Sequence, residues 1–198
     1  AKIGFADSME RNPNIDAEKI EALITPKTKV IVPVHYAGVA CDMDKIMAIA
    51  RKHNLIVIED GAQVISGEYK GQKVGSISDM TTFSFHPVKP LTTGEGGMVT
   101  TNSKELYEKL KLFHTHGITR EESLMQGNDG PWYYEQLELG YNYRITDIQC
   151  ALGISQLKRL DDFATHRRML AARYDKGFEG VKNIVTPYQH PDCLSSYH

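Results

Sequence analysis

Cysteine is scarce, and no charge sign dominates. Cys41, Cys150 and Cys193 are the only three cysteines in 198 residues, and they form no Cys-x-x-Cys pair. Free thiols in a reducing cytosol are the simplest reading. No run of about 18 apolar residues occurs, so no transmembrane helix is expected. The opening segment Ala1-Lys2-Ile3-Gly4-Phe5-Ala6-Asp7 lacks the charged-then-apolar pattern of a secretory signal. A cytoplasmic protein without a membrane partner is the expectation. With 23 Lys+Arg against 25 Asp+Glu and no basic block, nothing resembles a nucleic-acid footprint. Low-complexity stretches and internal repeats are also missing. What is present is average for a globular domain, with 41% hydrophobic and 24% charged residues. The length suits one domain with a sizeable core, or a large domain with a small appendage.

Residues 29–34 read Lys-Val-Ile-Val-Pro-Val, and residues 55–58 read Leu-Ile-Val-Ile. Such unbroken apolar runs predict strands buried on both faces of a parallel sheet. Between them Ile46, Ile49, Ala50 and His53 recur at helical spacing, with Asp42 or Asp44 to cap the start. The unit is strand–helix–strand with a right-handed crossover. A short helix is predicted over 16–24, and a strand tail at the opening of the chain. Strands are predicted at 81–85 and 98–101, with Gly94-Glu95-Gly96-Gly97 as a possible hairpin turn between them. Ser103 caps a further helix carrying Leu106, Leu110 and Phe113. Residues 117–140 form a loop-rich insert around Trp132. Thr146 caps a long helical region towards Phe178 with a break near Asp161 or Asp162. The fold class is α/β.

Ligands of open α/β sheets sit beyond the carboxyl ends of the strands. His35, the segment Glu59-Asp60-Gly61-Ala62-Gln63 and the segment Ser84-Phe85-His86-Pro87-Val88-Lys89 all fall there. Asp60, directly after buried apolar residues, needs a cation or several donors to offset desolvation; otherwise it caps the next turn. Glu59 points the other way, towards solvent or a salt bridge. Lys89, between Pro87 and Pro90 and ahead of a Gly-rich turn, is held rigidly enough to sit in a cleft, where a desolvated amine is a nucleophile towards carbonyls. An acid that holds a pyridinium and a lysine that forms a Schiff base are a protein's two main contributions to pyridoxal-phosphate chemistry. His114 and His116, at i and i+2 near a helix end, do not face one another, and no metal is expected. Arg167, Arg168 and Arg173 read as a solvated helix face.

The segments Ile58-Glu59-Asp60-Gly61-Ala62-Gln63, Ser84-Phe85-His86-Pro87-Val88-Lys89 and Glu95-Gly96-Gly97 resemble the DegT/DnrJ/EryC1/StrS family of sugar aminotransferases. Pro33-Val34-His35 and residues 140–147, Gly-Tyr-Asn-Tyr-Arg-Ile-Thr-Asp, look like further family blocks in the same order. The resemblance implies an aspartate-aminotransferase-like (fold type I) large domain, a mainly parallel sheet flanked by helices and incomplete at both ends. Residues 1–160 then belong to the cofactor-binding domain, and 161–198 to a helical connection and the start of a small domain. The N-terminal phosphate loop and ring-stacking aromatic of the family have no counterpart here, as in an internal fragment. Lys89 matches the Schiff-base lysine and Asp60 the partner of the pyridine nitrogen. Gln63 matches a contact to the phenolic oxygen, and Ser84 a phosphate-binding hydroxyl. Asn142 matches a residue reaching the phosphate from the neighbouring subunit, which implies a homodimer with shared sites.

The stretch 130–136, Gly-Pro-Trp-Tyr-Tyr-Glu-Gln, and the Pro-Val-Lys-Pro around Lys89 look most like the transaminases of pseudaminic-acid biosynthesis. The implied reaction is amination at C4 of a UDP-linked 4-keto-6-deoxy-N-acetylhexosamine, with glutamate as amino donor. The alternatives are a C3-directed sugar aminotransferase of the same family, or a non-catalytic relative or inactive fragment.

Overall fold

A computed structural model describes residues 2–198. Its central sheet has four strands in the order Val30–Ile31, Ile56–Asp60, Met80–Ser84 and Gly97–Thr100. The first three run parallel, and the last pairs antiparallel with Met80–Ser84. Helix α1, Met43–His53, makes the crossover between the first two. Asp42 starts it by accepting from the Lys45 N–H, and Asn54 ends it in the left-handed conformation. Both are ordinary stop and start chemistry for these residue types.

The two buried strands alternate rather than bury both faces. Ile31, Pro33 and His35 are covered, whereas Val30, Val32 and Val34 are 39%, 55% and 43% exposed. Val57 and Glu59 likewise face inward, while Ile56 is 41% exposed and Ile58 and Asp60 are half-buried. The covered face packs on Met43, Ile46 and Ala50 of α1, all with 2% exposure or less. The expectation of two covered faces therefore fails among the described residues, because α1 lies on one side only. The same alternation decides the chemistry: Glu59 goes under the helix and Asp60 onto the open face.

Elsewhere most elements fall near their predicted places. Residues 16–24 form two short 3₁₀ turns, Ala17–Lys19 and Glu21–Leu23, rather than one helix. Residues 2–7 form no strand; the first is Ser8–Met9, in a hairpin with Asn12–Ile15. Ser103 caps α2, Lys104–His114. Ile118–Thr119 pairs with Glu135–Gln136 across the insert. Thr146 and Gln149 form a reciprocal capping box on α3, Asp147–Leu157. The break before α4, Leu160–Phe178, comes at Lys158 and Arg159, slightly earlier than expected. After α4 the chain returns, and Cys193–Leu194 pairs with Glu68–Tyr69. No helix among the described residues is long and apolar enough to cross a membrane.

Candidate active site

Asp60 closes the second parallel strand. Its N–H donates to Pro33 O (2.9 Å), and its carbonyl accepts from the His35 N–H (3.1 Å). Oδ1 accepts from the Ala62 N–H at 3.0 Å, so the carboxylate does cap the following turn. Oδ2 has no hydrogen-bond partner among the described residues. The register Asp60↔Thr82 and the period of two place Ser84 on the same open face, one strand over.

Gln63 sits on the turn after Asp60. Its Oε1 accepts from the Ala37 N–H at 2.7 Å, which leaves the amide NH₂ as the free, donating end. Its carbonyl accepts from the Ser196 hydroxyl at 3.0 Å.

The loop that carries Lys89 is closed at its base. Phe85 N–H donates to Gly96 O (2.8 Å), and Thr93 N–H donates to Phe85 O (3.0 Å). The Thr92 hydroxyl adds a bond to the same Phe85 carbonyl at 3.0 Å. Leu91 and Phe85 pack with Leu160 of α4 and anchor the loop from below. Gly96, at φ +153°, leaves its Cβ position to the Thr93 hydroxyl. At the tip Lys89 N–H donates to His86 O (2.9 Å), while the half-buried side chain presents an Nζ with no hydrogen bond or ion pair among the described residues.

The last residues complete this neighbourhood. Ser196 N–H donates to Gly38 O at 3.0 Å, and His198 N–H to Ala37 O at 3.3 Å. Arg167 Nη1 donates to Tyr197 O (2.8 Å), and Arg168 donates to Ser195 O (2.8 Å) and Ser66 O (3.3 Å). Arg167 and Arg168 are thus half-buried clamps rather than the solvated face expected, because carbonyls far along the chain return to them; Arg173 alone is exposed. His198 comes within electrostatic reach of Lys89. Burial first, then the charges of Lys89 and Arg167, hold its imidazole below the usual histidine range. Sequence reasoning passed over His198 because only this tertiary docking brings it to the lysine.

Gly38 lets the docking happen. At φ +92°, an added Cβ would meet Ser196 Oγ at 2.5 Å and Tyr197 N at 2.7 Å. Gly38→Ala is expected to lower stability by about 2 kcal/mol, read as a lower urea midpoint.

Beneath the open face lies Glu59, pointing away from Asp60 as expected. Of its two expected surroundings it has the paired one, and it is fully buried. Oε2 accepts from His35 Nε2 at 2.7 Å. Oε1 accepts from the Ser78 N–H (3.2 Å), the Ser78 hydroxyl (2.7 Å) and the Thr81 hydroxyl (2.9 Å). His35 Nδ1 itself accepts from the Cys41 N–H at 3.0 Å, so the ring is the neutral tautomer with its proton on Nε2. Burial alone would raise the Glu59 carboxyl; the bonds from His35, Ser78 and Thr81 outweigh it and hold it below its ordinary value. A group lowered in the folded state stabilises above its unfolded value and ceases to as pH falls through its folded one. Between pH 6 and acid, the wild-type urea midpoint should therefore fall more steeply than that of Glu59→Gln.

Asn142 stands apart from the other four predicted site residues. It lies on an exposed arm zipped to the end of α2, with a bridge to Thr115, and makes no hydrogen bond to Asp60, Gln63, Ser84 or Lys89. Tyr141 and Tyr143 stack on either side of it, 4.9 Å between centroids.

A carboxylate oxygen, an amide donor, a hydroxyl and an amine without partners among the described residues, carried on segments of one sheet, are the group types that suit a phosphorylated pyridine aldehyde. The model of the DegT/DnrJ/EryC1/StrS aminotransferase family matches residues 1–198. The chain belongs to that family. It is 44% identical over 182 residues to the UDP-4-amino-4,6-dideoxy-N-acetyl-beta-L-altrosamine transaminase of Campylobacter jejuni, covering 90% of this chain and 46% of that protein. It is equally 44% identical to the GDP-perosamine synthase of Caulobacter vibrioides, over 92% of this chain and 46% of that one. Spr1654 of Streptococcus pneumoniae, solved in its PLP form, superposes with a TM-score of 0.89 at 32% identity, over 100% of this chain and 53% of that one. The chain spans about half the length of the curated relatives it matches. The α/β class and the fold-type-I resemblance agree with this aminotransferase family.

Proposed function

We propose that the protein is a pyridoxal-phosphate-dependent aminotransferase acting on the keto group of a nucleotide-linked deoxy sugar. The observation that carries this is the unpartnered amine of Lys89 and the half-free carboxylate of Asp60, which follow two neighbouring strands of one sheet, on a family scaffold. When bound, pyridoxal phosphate supplies the electron sink that lets a carbon attached to the amino nitrogen give up its proton.

The chain's residues do the rest. Lys89 Nζ would hold the cofactor through its aldehyde and be freed when the amino donor takes its place. The freed amine then takes the donor's α-proton and later returns one to the sugar carbon. Asp60 Oδ2 keeps the proton on the pyridine nitrogen, and Oδ1, bound to Ala62 N–H, fixes the carboxylate's rotation. Gln63 donates its NH₂ to the phenolic oxygen, since Ala37 already occupies Oε1. The Ser84 hydroxyl takes the phosphate. Asn142, on its exposed arm, serves the phosphate of a second copy in a cytoplasmic homodimer.

Glutamate as donor and C4 of a UDP-linked 4-keto-6-deoxy-N-acetylhexosamine as acceptor are the substrates we favour, on the residues around Trp132 and the similarity to the Campylobacter enzyme. The equal similarity to a GDP-perosamine synthase makes the nucleotide the point to test. The protein, loaded with cofactor and glutamate, is offered UDP- and GDP-linked 4-keto sugars, and the products are resolved by mass and NMR. Amination of the UDP sugar at C4 supports the assignment. Preference for the GDP sugar, or amination at C3, replaces it with a sister specificity. Turnover of no keto sugar would leave the non-catalytic reading.

A further inference from the structure

The proposed mechanism makes no use of Glu59, a buried carboxylate that accepts four hydrogen bonds, or of the histidine beneath it. Both are completely buried. Together they form a closed loop with Asp60. The His35 ring bonds the Glu59 carboxylate from the covered side at 2.7 Å, and the His35 N–H bonds the Asp60 carbonyl at 3.1 Å. One residue just beyond the first strand thus grips both members of the Glu59–Asp60 pair. Thr81, near the start of the third strand, and Ser78, just before it, hold the same carboxylate. Three segments of the sheet thus meet on one side chain.

We infer that Glu59, gripped by His35, is a positioning residue for Asp60, setting the angle at which the Asp60 carboxylate meets a pyridine nitrogen. This rests on the reading of Asp60 given above. The twist of the peptide between the two residues is fixed from both sides, so Asp60 has no freedom to roll about the strand. Glu59→Gln keeps the volume but cannot accept from all four donors. An amide NH₂ facing His35 Nε2–H sets donor against donor; turned about, it faces the Ser78 N–H instead; and moving the ring proton to Nδ1 sets it against the Cys41 N–H. In each arrangement one bond is lost beneath Asp60.

The test compares dissociation constants, measured by absorbance and fluorescence titration, for pyridoxal phosphate and for its 1-deaza analogue, which has a C–H in place of the ring nitrogen. Wild type should prefer pyridoxal phosphate, because only that compound engages Asp60. Glu59→Gln should lose about tenfold in affinity for pyridoxal phosphate, the scale on which outer partners of a site residue act. Its affinity for the deaza analogue should stay within about twofold of wild type. Thr81→Val, which removes one of the four donors, should show the same selective loss at about threefold, and it decides the matter if Glu59→Gln does not fold. Added to Asp60→Asn, Glu59→Gln should cause no further loss.

Equal losses for both compounds, or no loss for either, overturn the positioning role while leaving Asp60 in place. A wild-type protein that binds the two compounds equally, or neither, overturns the reading of Asp60 and the inference with it.

Discussion

Lys89→Ala is expected to abolish the phosphopyridoxyl adduct trapped by borohydride and to lower transamination by about 10⁴-fold or more, a loss of about 5.4 kcal/mol in transition-state stabilisation. The amine is asked to act three times, as covalent anchor, as base and as acid, so no neighbour replaces it. Its selectivity follows from its surroundings. Lys45 and Lys70 are held protonated by hydrogen bonds from their ammonium groups to Glu18 and Asp44, and Lys109 is paired with Glu105 on α2. A protonated, paired amine does not attack a carbonyl. Lys27, Lys29, Lys104, Lys158, Lys176 and Lys182 also lack an ion pair among the described residues but are exposed, whereas Lys89 is unpaired on a half-buried side chain at the tip of a braced loop. Peptide mapping after reduction should find the label at Lys89, lost in Lys89→Ala and unchanged in Lys109→Ala. Labelling spread evenly over the surface lysines would remove Lys89 from the mechanism.

Asp60→Asn separates the acid from the lysine. The amide oxygen still accepts from Ala62 N–H, so the turn survives, but an amide does not hold a proton on a pyridine nitrogen. Transamination should fall by about 10³-fold, or about 4 kcal/mol, with the Lys89 adduct still formed. A variant that keeps wild-type kcat/KM would show that the ring nitrogen is served by another group. A variant that loses the adduct as well would show that Asp60 acts on cofactor binding before chemistry.

Local signals carried most of the framework. Apolar runs, an Asp, a Ser and a Thr ahead of periodic stretches, and a glycine turn located the strands of the central sheet and the four α-helices of the described residues. What they missed has one cause. A run such as Val30 to Val34 looks the same whether one face is covered or two, because the covering helix is a property of packing. The surroundings of Glu59 stayed open between solvent and a salt bridge because its partner His35 lies beyond the end of another strand, and only the pairing Ile31↔Val57 brings the two into line. Arg167 and Arg168 were misread because backbone carbonyls some thirty residues later, invisible as a pattern, return to meet them. Asp60 and Lys89 stood out because each comes at or soon after a strand end that the pattern does locate; Gln63 and Ser84 took their roles from the resemblance. Asn142 was legible by resemblance alone.

The bond from Ser196 to Gln63 spans 133 positions of the chain, and that span has a consequence for how the site comes into being. At about 5–20 residues per second on the ribosome, Asp60 and Lys89 are made many seconds before the segment that braces Gln63. Helix α1 and the strands around it need only neighbouring sequence and can form early. The final clamp of Arg167, Arg168 and Gly38 on residues 195–198 cannot. The nascent chain therefore passes through a stage with its lysine and acid in place and Gln63 without its Ser196 brace. Complete assembly of the site waits until residues 195–198 have been made.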